Sequence, residues 1–310
     1  MNSDKNQLSI KNNLSPLFVI IAASLWGVDG IVLRPALFSL PVPLVVFVES
    51  TIVAILLSPY FIRHLPSLKF LKTKDWLAFF LLALFGGAIG TMAITKALFY
   101  VNFVNLSVVI LLQKLQPVFA IALASVFLKE KLSFRFIFWA GIAIVGAYFM
   151  TFGTNLPDFS TGDKTTVAAI FSLLAALSFS ASTVLSKRAL RNVSFGMGTY
   201  LRFLFSAVIM LVIVVFIGDT KNIPDITATQ IIVFLIIALT TGGTAIFLYY
   251  YGLKRISASV ATICELAFPF TAIILEYFLR GNILDIVQWI GAVILLISIL
   301  KVSGINFSGN

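Results

Sequence analysis

Ten apolar stretches follow one another along this chain, each close to the roughly 20 residues a helix needs to cross the hydrocarbon core of a bilayer. They run over about 17–38, 43–62, 76–99, 105–128, 135–152, 165–186, 196–217, 230–251, 257–278 and 285–301. Inside lipid every backbone N–H and C=O must find its partner within the segment, so such stretches fold as helices. Composition agrees: hydrophobic residues make up 60% of 310 positions and charged residues 11%, against a charged share of about 25% in soluble domains. The mean hydropathy is +1.07. The expected fold is therefore an all-α integral membrane protein with ten transmembrane helices. Local punctuation supports it: Ser15-Pro16 is a helix-start pair, Pro41 and Pro43 separate the first two spans, Thr73 and Asp163 are expected N-caps, and Trp76 suits an interface.

The formal charge of +10 points to nucleic acid in a soluble protein, but here the basic residues form short runs between spans. Such runs set orientation and touch anionic headgroups, so membrane lipids are the expected partner and nucleic acid is not. Runs such as Lys69–Lys72–Lys74, Lys129–Lys131–Arg135 and Lys187–Arg188–Arg191 fall on one side, while Arg34, Lys164, Lys221 and Arg280 fall on the other. This bias places both termini, tails 1–16 and 302–310, in the cytoplasm. No small-residue cleavage site follows the first apolar stretch, so it is read as a retained helix. With Cys264 the sole cysteine and His64 the sole histidine, the sequence offers no internal disulfide, no His/Cys metal cluster and no catalytic constellation. No metal, cofactor or enzymatic activity is expected.

Sliding the chain against itself reveals two weakly similar halves, 17–152 and 165–301, with five spans each. At an offset of 153, Ala22-Ala23 meets Ala175-Ala176, Trp26 meets Phe179, Arg34 meets Lys187 and Glu49 meets Arg202. At 152, Pro117 meets Pro269 and Gln113 meets Glu265; at 150, Trp139-Ala140-Gly141 meets Trp289-Ile290-Gly291. Five is odd, so the second copy enters the membrane from the opposite side. Inverted repeats of this kind place a substrate site near the midplane and permit two mirror-related gated states. A duplication with a purely structural role is the alternative.

Ionisable residues inside spans cost about 2.5–3.5 kcal/mol each on insertion scales, so those retained face a cavity or a partner. At 1.5 Å per residue, Glu49 lies roughly 9 Å and Lys114 roughly 13 Å below the outer surface. Arg202 and Glu265 lie at matching depths from the inner one, with the signs exchanged. Two charge pairs are thus expected, Glu49–Lys114 and Arg202–Glu265, flanking a central cavity and serving either as structural glue or in binding and gating. Asp29, near the centre of span one and three residues after Trp26, is a further candidate for binding. Gln113 and Gln116 share a helix face and offer amides to substrate or to a neighbouring helix. Lys96 lies close enough to the outer interface to snorkel. Thr91 with Thr95, and Ser178 with Ser182, read as small hydroxyls permitting close helix packing. Tyr249, Tyr250 and Tyr251 read as an interfacial belt from which one ring, Tyr249 foremost, faces the cavity. Gly86 and Gly90 in span three, and Gly242-Gly243 at the corresponding place in span eight, are expected hinges. Pro117 and Pro269 are expected kinks at equivalent levels.

The pattern resembles the drug/metabolite transporter superfamily, in particular its ten-helix EamA-type members. The resemblance rests on Ala23-Ser24-Leu25-Trp26-Gly27, on Gln116-Pro117-Val118-Phe119, on Phe127-Leu128-Lys129-Glu130-Lys131-Leu132, and on Trp139-Ala140-Gly141 through Gly146. Phe268-Pro269-Phe270 to Gly291 is similar in the second copy, where Gly281-Asn282 replaces the usual Gly-Glu. It covers about 17–301 and implies two EamA repeats, the bacterial inner membrane, and export or uptake of amino acids or other metabolites. The charges of both signs suit a zwitterion, so the expected activity is secondary transport of a small polar or zwitterionic metabolite such as an amino acid. No ATP-binding P-loop is present, which leaves protons or the substrate's own gradient as the driving force. Export of organic cations or drugs, and lipid flipping, are the alternatives.

Overall fold

The structure is a computed structural model that describes residues 14–100, 109, 112–156, 163–281 and 284–304. Nine helices among them are long and apolar enough to cross a membrane, and a tenth is shorter. In chain order these are α1 (Ser15–Leu37), α2 (Val42–His64), α3 (Thr73–Tyr100), the shorter α4 (Gln116–Phe127), α5 (Phe134–Phe152), α6 (Thr166–Ala189), α7 (Phe195–Ile217), α8 (Ala228–Leu253), α9 (Ala258–Leu279) and α10 (Ile286–Ser303). The first part of the span expected over 105–128, most of the two tails and Asn282 lie outside the described residues. Bulky apolar side chains such as Phe134, Phe216 and Phe278 point outward and are highly exposed, as a lipid solvent requires.

Polar caps start several helices where the sequence changes from loop to apolar. Ser133, Ser194, Ser257 and Asp285 each accept a hydrogen bond from the backbone N–H three residues on, satisfying donors that a helix start leaves orphaned.

The packing of the helices carries the repeat. α2 lies against α7 and α5 against α10, while α1 packs on α8 and α9, and α6 packs on α3 and α4. Exchanging the two halves maps this set of contacts onto itself. At the α5–α10 crossing the backbones nearly touch: a Cβ on Gly291 would fall 2.4 Å from Met150 N, and one on Gly146 would fall 2.9 Å from Leu295 N. The matched alanines Ala22, Ala23, Ala175 and Ala176 are all fully buried.

Among the described residues, three helices hold π-turns. α1 passes into a π-helical turn at Asp29–Leu33 and then a 3-10 turn at Arg34–Leu37. α3 holds a π-turn at Ala83–Ile89 and α8 holds one at Ala238–Gly242. The last two match in detail: Thr91 donates to the Gly86 carbonyl at 2.9 Å and Thr244 to the Leu239 carbonyl at 2.6 Å. Those four residues pair across the same 153-residue offset. The glycines expected as hinges therefore sit in or beside π-turns, which are concentrated at functional sites. The prolines differ from expectation in degree. Rather than bending a continuous helix, Pro117 follows a turn at Lys114–Leu115 and Pro269 follows one at Glu265–Leu266, each in the first turn of a new helical segment.

Candidate functional site

The helix breaks and π-turns converge on one cavity of about 210 Å³, lined by residues from both halves. Of the residues singled out from sequence, Trp26, Asp29, Glu49, Gln113, Gln116, Arg202, Tyr249 and Glu265 line it, and Gly242 does too. The repeat-matched pairs Trp26 and Phe179, Glu49 and Arg202, and Gln113 and Glu265 all meet there. Lys114 does not; it lines a small adjoining pocket with Pro117 and Pro269.

The charges pair differently from expectation. Glu49 is met by Arg34, at 3.3 Å, rather than by Lys114. Arg34, grouped from sequence with the outer loops, is buried and lies 2.6 Å from Asp29 as well. Its Nη1 donates to Thr95 Oγ1 at 3.1 Å, and Asp29 accepts from Thr241 at 3.3 Å. The physical reason is the irregular end of α1: the π-turn and 3-10 turn carry Arg34 around onto the face that holds Asp29. Lys114, at the break before α4, reaches α5 instead, donating to the Ala147 carbonyl and to Thr151 Oγ1, with Phe152 beneath it.

Arg202 and Glu265 form no ion pair among the described residues. Adjacent tyrosines of α8 take one charge each: Tyr249 donates to Glu265 Oε1 at 2.7 Å, and Arg202 donates to Tyr250 at 3.4 Å and to Ser182 at 3.3 Å. Gln116 donates to Glu265 Oε2 at 2.6 Å, bridging the first half to the second. Arg202 lines the cavity together with Glu49 and Glu265, so both polar clusters open onto the same space. Tyr249 and Tyr250 are buried rather than interfacial, while Tyr251 carries Arg255 3.6 Å above its ring. Lys96 is exposed over the Phe171 ring at 5.1 Å, as a snorkelling lysine would be.

Sequence reasoning missed three contributors. Arg34 was hidden because a charge near the end of a span reads as loop. Thr95 and Ser182, read as packing residues, accept from the two buried guanidiniums; their signal was the register they share with Thr91 and Ser178. Arg34's repeat partner Lys187 has another task. It donates to the Leu253, Lys254 and Ile256 carbonyls and so closes the turn between α8 and α9.

A ten-helix bundle wrapped around a polar cavity built by two matched halves is the architecture of a membrane carrier. The chain belongs to the EamA-like transporter family, which it matches over residues 13–152 and 166–304, and it is a multi-pass membrane transporter of that family. It is 48% identical over 291 residues to a protein of Fusobacterium nucleatum subsp. nucleatum named riboflavin transporter ImpX, covering 94% of this chain and 97% of that one. An uncharacterized transporter of Clostridium kluyveri is 25% identical over 86% of this chain and 83% of its own. A solved crystal structure with 15% identity superposes with a TM-score of 0.70 over 93% of this chain and 95% of its own, which shows a shared fold.

Proposed function

We propose that this protein carries riboflavin, or a flavin with the same ring system, across the bacterial inner membrane by alternating access about the central cavity. The observation that carries the reading is the 48% identity to the Fusobacterium protein, which runs over 94% of this chain. The cavity supplies what a flavin asks for. Trp26, Phe179, Phe203 and Phe268 give flat apolar walls, and Gln113, Gln116 and several hydroxyls give donors and acceptors for a polar edge and a polyol chain. At about 210 Å³ the cavity is smaller than the roughly 300–1,000 Å³ usual for small-molecule pockets, so it widens as substrate enters, and the paired π-turns and helix breaks are where it gives. The two five-helix units, 17–152 and 165–301, act as inverted repeats with both termini cytoplasmic.

Among the lining residues three carboxylates, Asp29, Glu49 and Glu265, face two guanidiniums, Arg34 and Arg202. A proton taken up with substrate neutralises the surplus, which makes the carrier proton-coupled. The test is uptake of labelled riboflavin into liposomes containing the purified protein, with and without a pH gradient, beside a panel of amino acids. Saturable riboflavin uptake that an imposed gradient accelerates, and that Glu49→Gln uncouples, is the expected outcome. Uptake of an amino acid and not of riboflavin would replace this reading with the zwitterion expected from the charges. Riboflavin uptake indifferent to pH would leave a facilitator.

A further inference from the structure

We infer that Glu265, Gln116 and Arg202 read the pyrimidinedione edge of the flavin ring, with the Glu265 carboxylate accepting the ring N3–H and the other two side chains donating to the carbonyls on either side of it. The inference rests on the flavin reading above and assigns the recognition to particular atoms. That edge presents acceptor, donor, acceptor in a row, and only a group that accepts, flanked by groups that donate, matches it.

The residues supply those groups at one cavity with capacity to spare. Glu265 sits at the turn that interrupts α9, where its carboxylate faces the cavity and is met by neutral donors, Gln116 at 2.6 Å and Tyr249 at 2.7 Å. A carboxylate offers about four acceptor sites, more than Gln116 and Tyr249 occupy, so it can still accept from a ligand. Gln116 spends one amide hydrogen on Glu265 and keeps the other. Arg202 has five N–H donors, yet among the described residues its hydrogen bonds are the long ones to Ser182 and Tyr250, at 3.3 and 3.4 Å. The contrast with the neighbouring cluster decides between the two. There Arg34 satisfies Asp29 and Glu49 at 2.6 and 3.3 Å, leaving those charges committed to each other. Trp26 and Tyr249 stack in tilted contact at 5.3 Å beside Glu265, which puts aromatic faces next to the polar group, as a ring read along one edge requires.

The experiment measures competition against labelled riboflavin by unlabelled riboflavin and by 3-methylriboflavin, which lacks only the N3 hydrogen. With the wild-type protein the methylated analogue competes about 10- to 100-fold less well, the loss expected for one hydrogen bond to a charged group. In Glu265→Gln the affinity for riboflavin falls and the gap between the two flavins closes to within a few-fold. Gln116→Met, which removes a carbonyl-facing donor and keeps the carboxylate, weakens both flavins alike. Equal competition by the two flavins in the wild type overturns the inference while the transport reading stands. A gap that persists unchanged in Glu265→Gln overturns the assignment to that carboxylate. If riboflavin is not carried at all, the proposed function falls and this inference with it.

Discussion

At the scale of single residues the organising fact is one guanidinium shared by two carboxylates. Arg34 lies 2.6 Å from Asp29 and 3.3 Å from Glu49, all three buried. Removing one partner of a buried charge cluster leaves uncompensated charge in a medium that solvates it poorly, a loss of about 3–5 kcal/mol. Arg34→Met should therefore lower the unfolding free energy in detergent by that order, read as a lower unfolding midpoint. Glu49→Gln added to it should recover part of the loss, because one of the stranded charges is then gone. Arg34→Lys should fall between, since a point charge cannot reach both carboxylates with a planar fork. If all three variants unfold together with the wild type, the cluster contributes nothing to stability. The sequence brought Asp29 and Glu49 into view by a simple rule, that ionisable groups in lipid face inward. It did not reveal their partner, because depth counted from the ends of spans says how far in a residue lies but not which way it points.

Direction is set at the scale of the helices. A π-turn inserts a residue into the hydrogen-bond ladder and rotates everything beyond it, so an apolar period read from sequence loses phase there. That is why nine spans among the described residues were legible to within a few residues while the pairings Glu49–Lys114 and Arg202–Glu265 were not. Lys114 is turned toward α5 by the break ahead of Pro117, and Arg34 is turned inward by the irregular end of α1. Close crossings are equally specific. At Gly291 an added methyl would meet backbone atoms, Met150 N at 2.4 Å and Phe149 C at 2.8 Å, whereas at Gly141 nothing lies within 4 Å. Gly291→Ala should cost about 1–3 kcal/mol through overpacking and prise α5 from α10, while Gly141→Ala should behave as wild type in thermal unfolding and membrane yield. Repeat alignment paired Gly141 with Gly291, yet across the crossing it is Gly146 that faces Gly291. Equivalence in sequence and contact in space are separate facts.

At the scale of the whole molecule, a side chain of the first half fastens the start of a helix in the second. Glu130, just past α4, accepts hydrogen bonds from the backbone N–H groups of Ala258 and Ser259, at 2.7 and 3.0 Å, and from the Ser259 hydroxyl at 2.5 Å. It thereby caps the start of α9 and ties the first half to the second, with Lys187 closing the turn beside it. An anion at a helix N-terminus is stabilised both by the exposed amides and by the helix dipole. The matching stretch of the second half reads Arg280-Gly281-Asn282 and offers no carboxylate. Breaking the tie should free the end of α9 near Cys264, which is fully buried and the only cysteine in the chain. Glu130→Ala should therefore raise the rate at which a maleimide reaches Cys264 at least severalfold, and Glu130→Asp less so. An unchanged labelling rate would mean the tie does not hold that side shut.

The consequence reaches the kinetics of a full transport cycle. A carrier whose halves were true mirror images would dwell equally long facing either compartment and would work as readily in reverse. In the carrier proposed above, a carboxylate at Glu130 where the matching position of the sequence holds Asn282 would tilt that balance, so that the unloaded protein favours one posture and is released from it once per turnover. A gradient fixes which way net flux runs in such a carrier, but a one-sided tie of this kind would fix where the empty carrier lingers, and with it the side from which cargo is captured fastest.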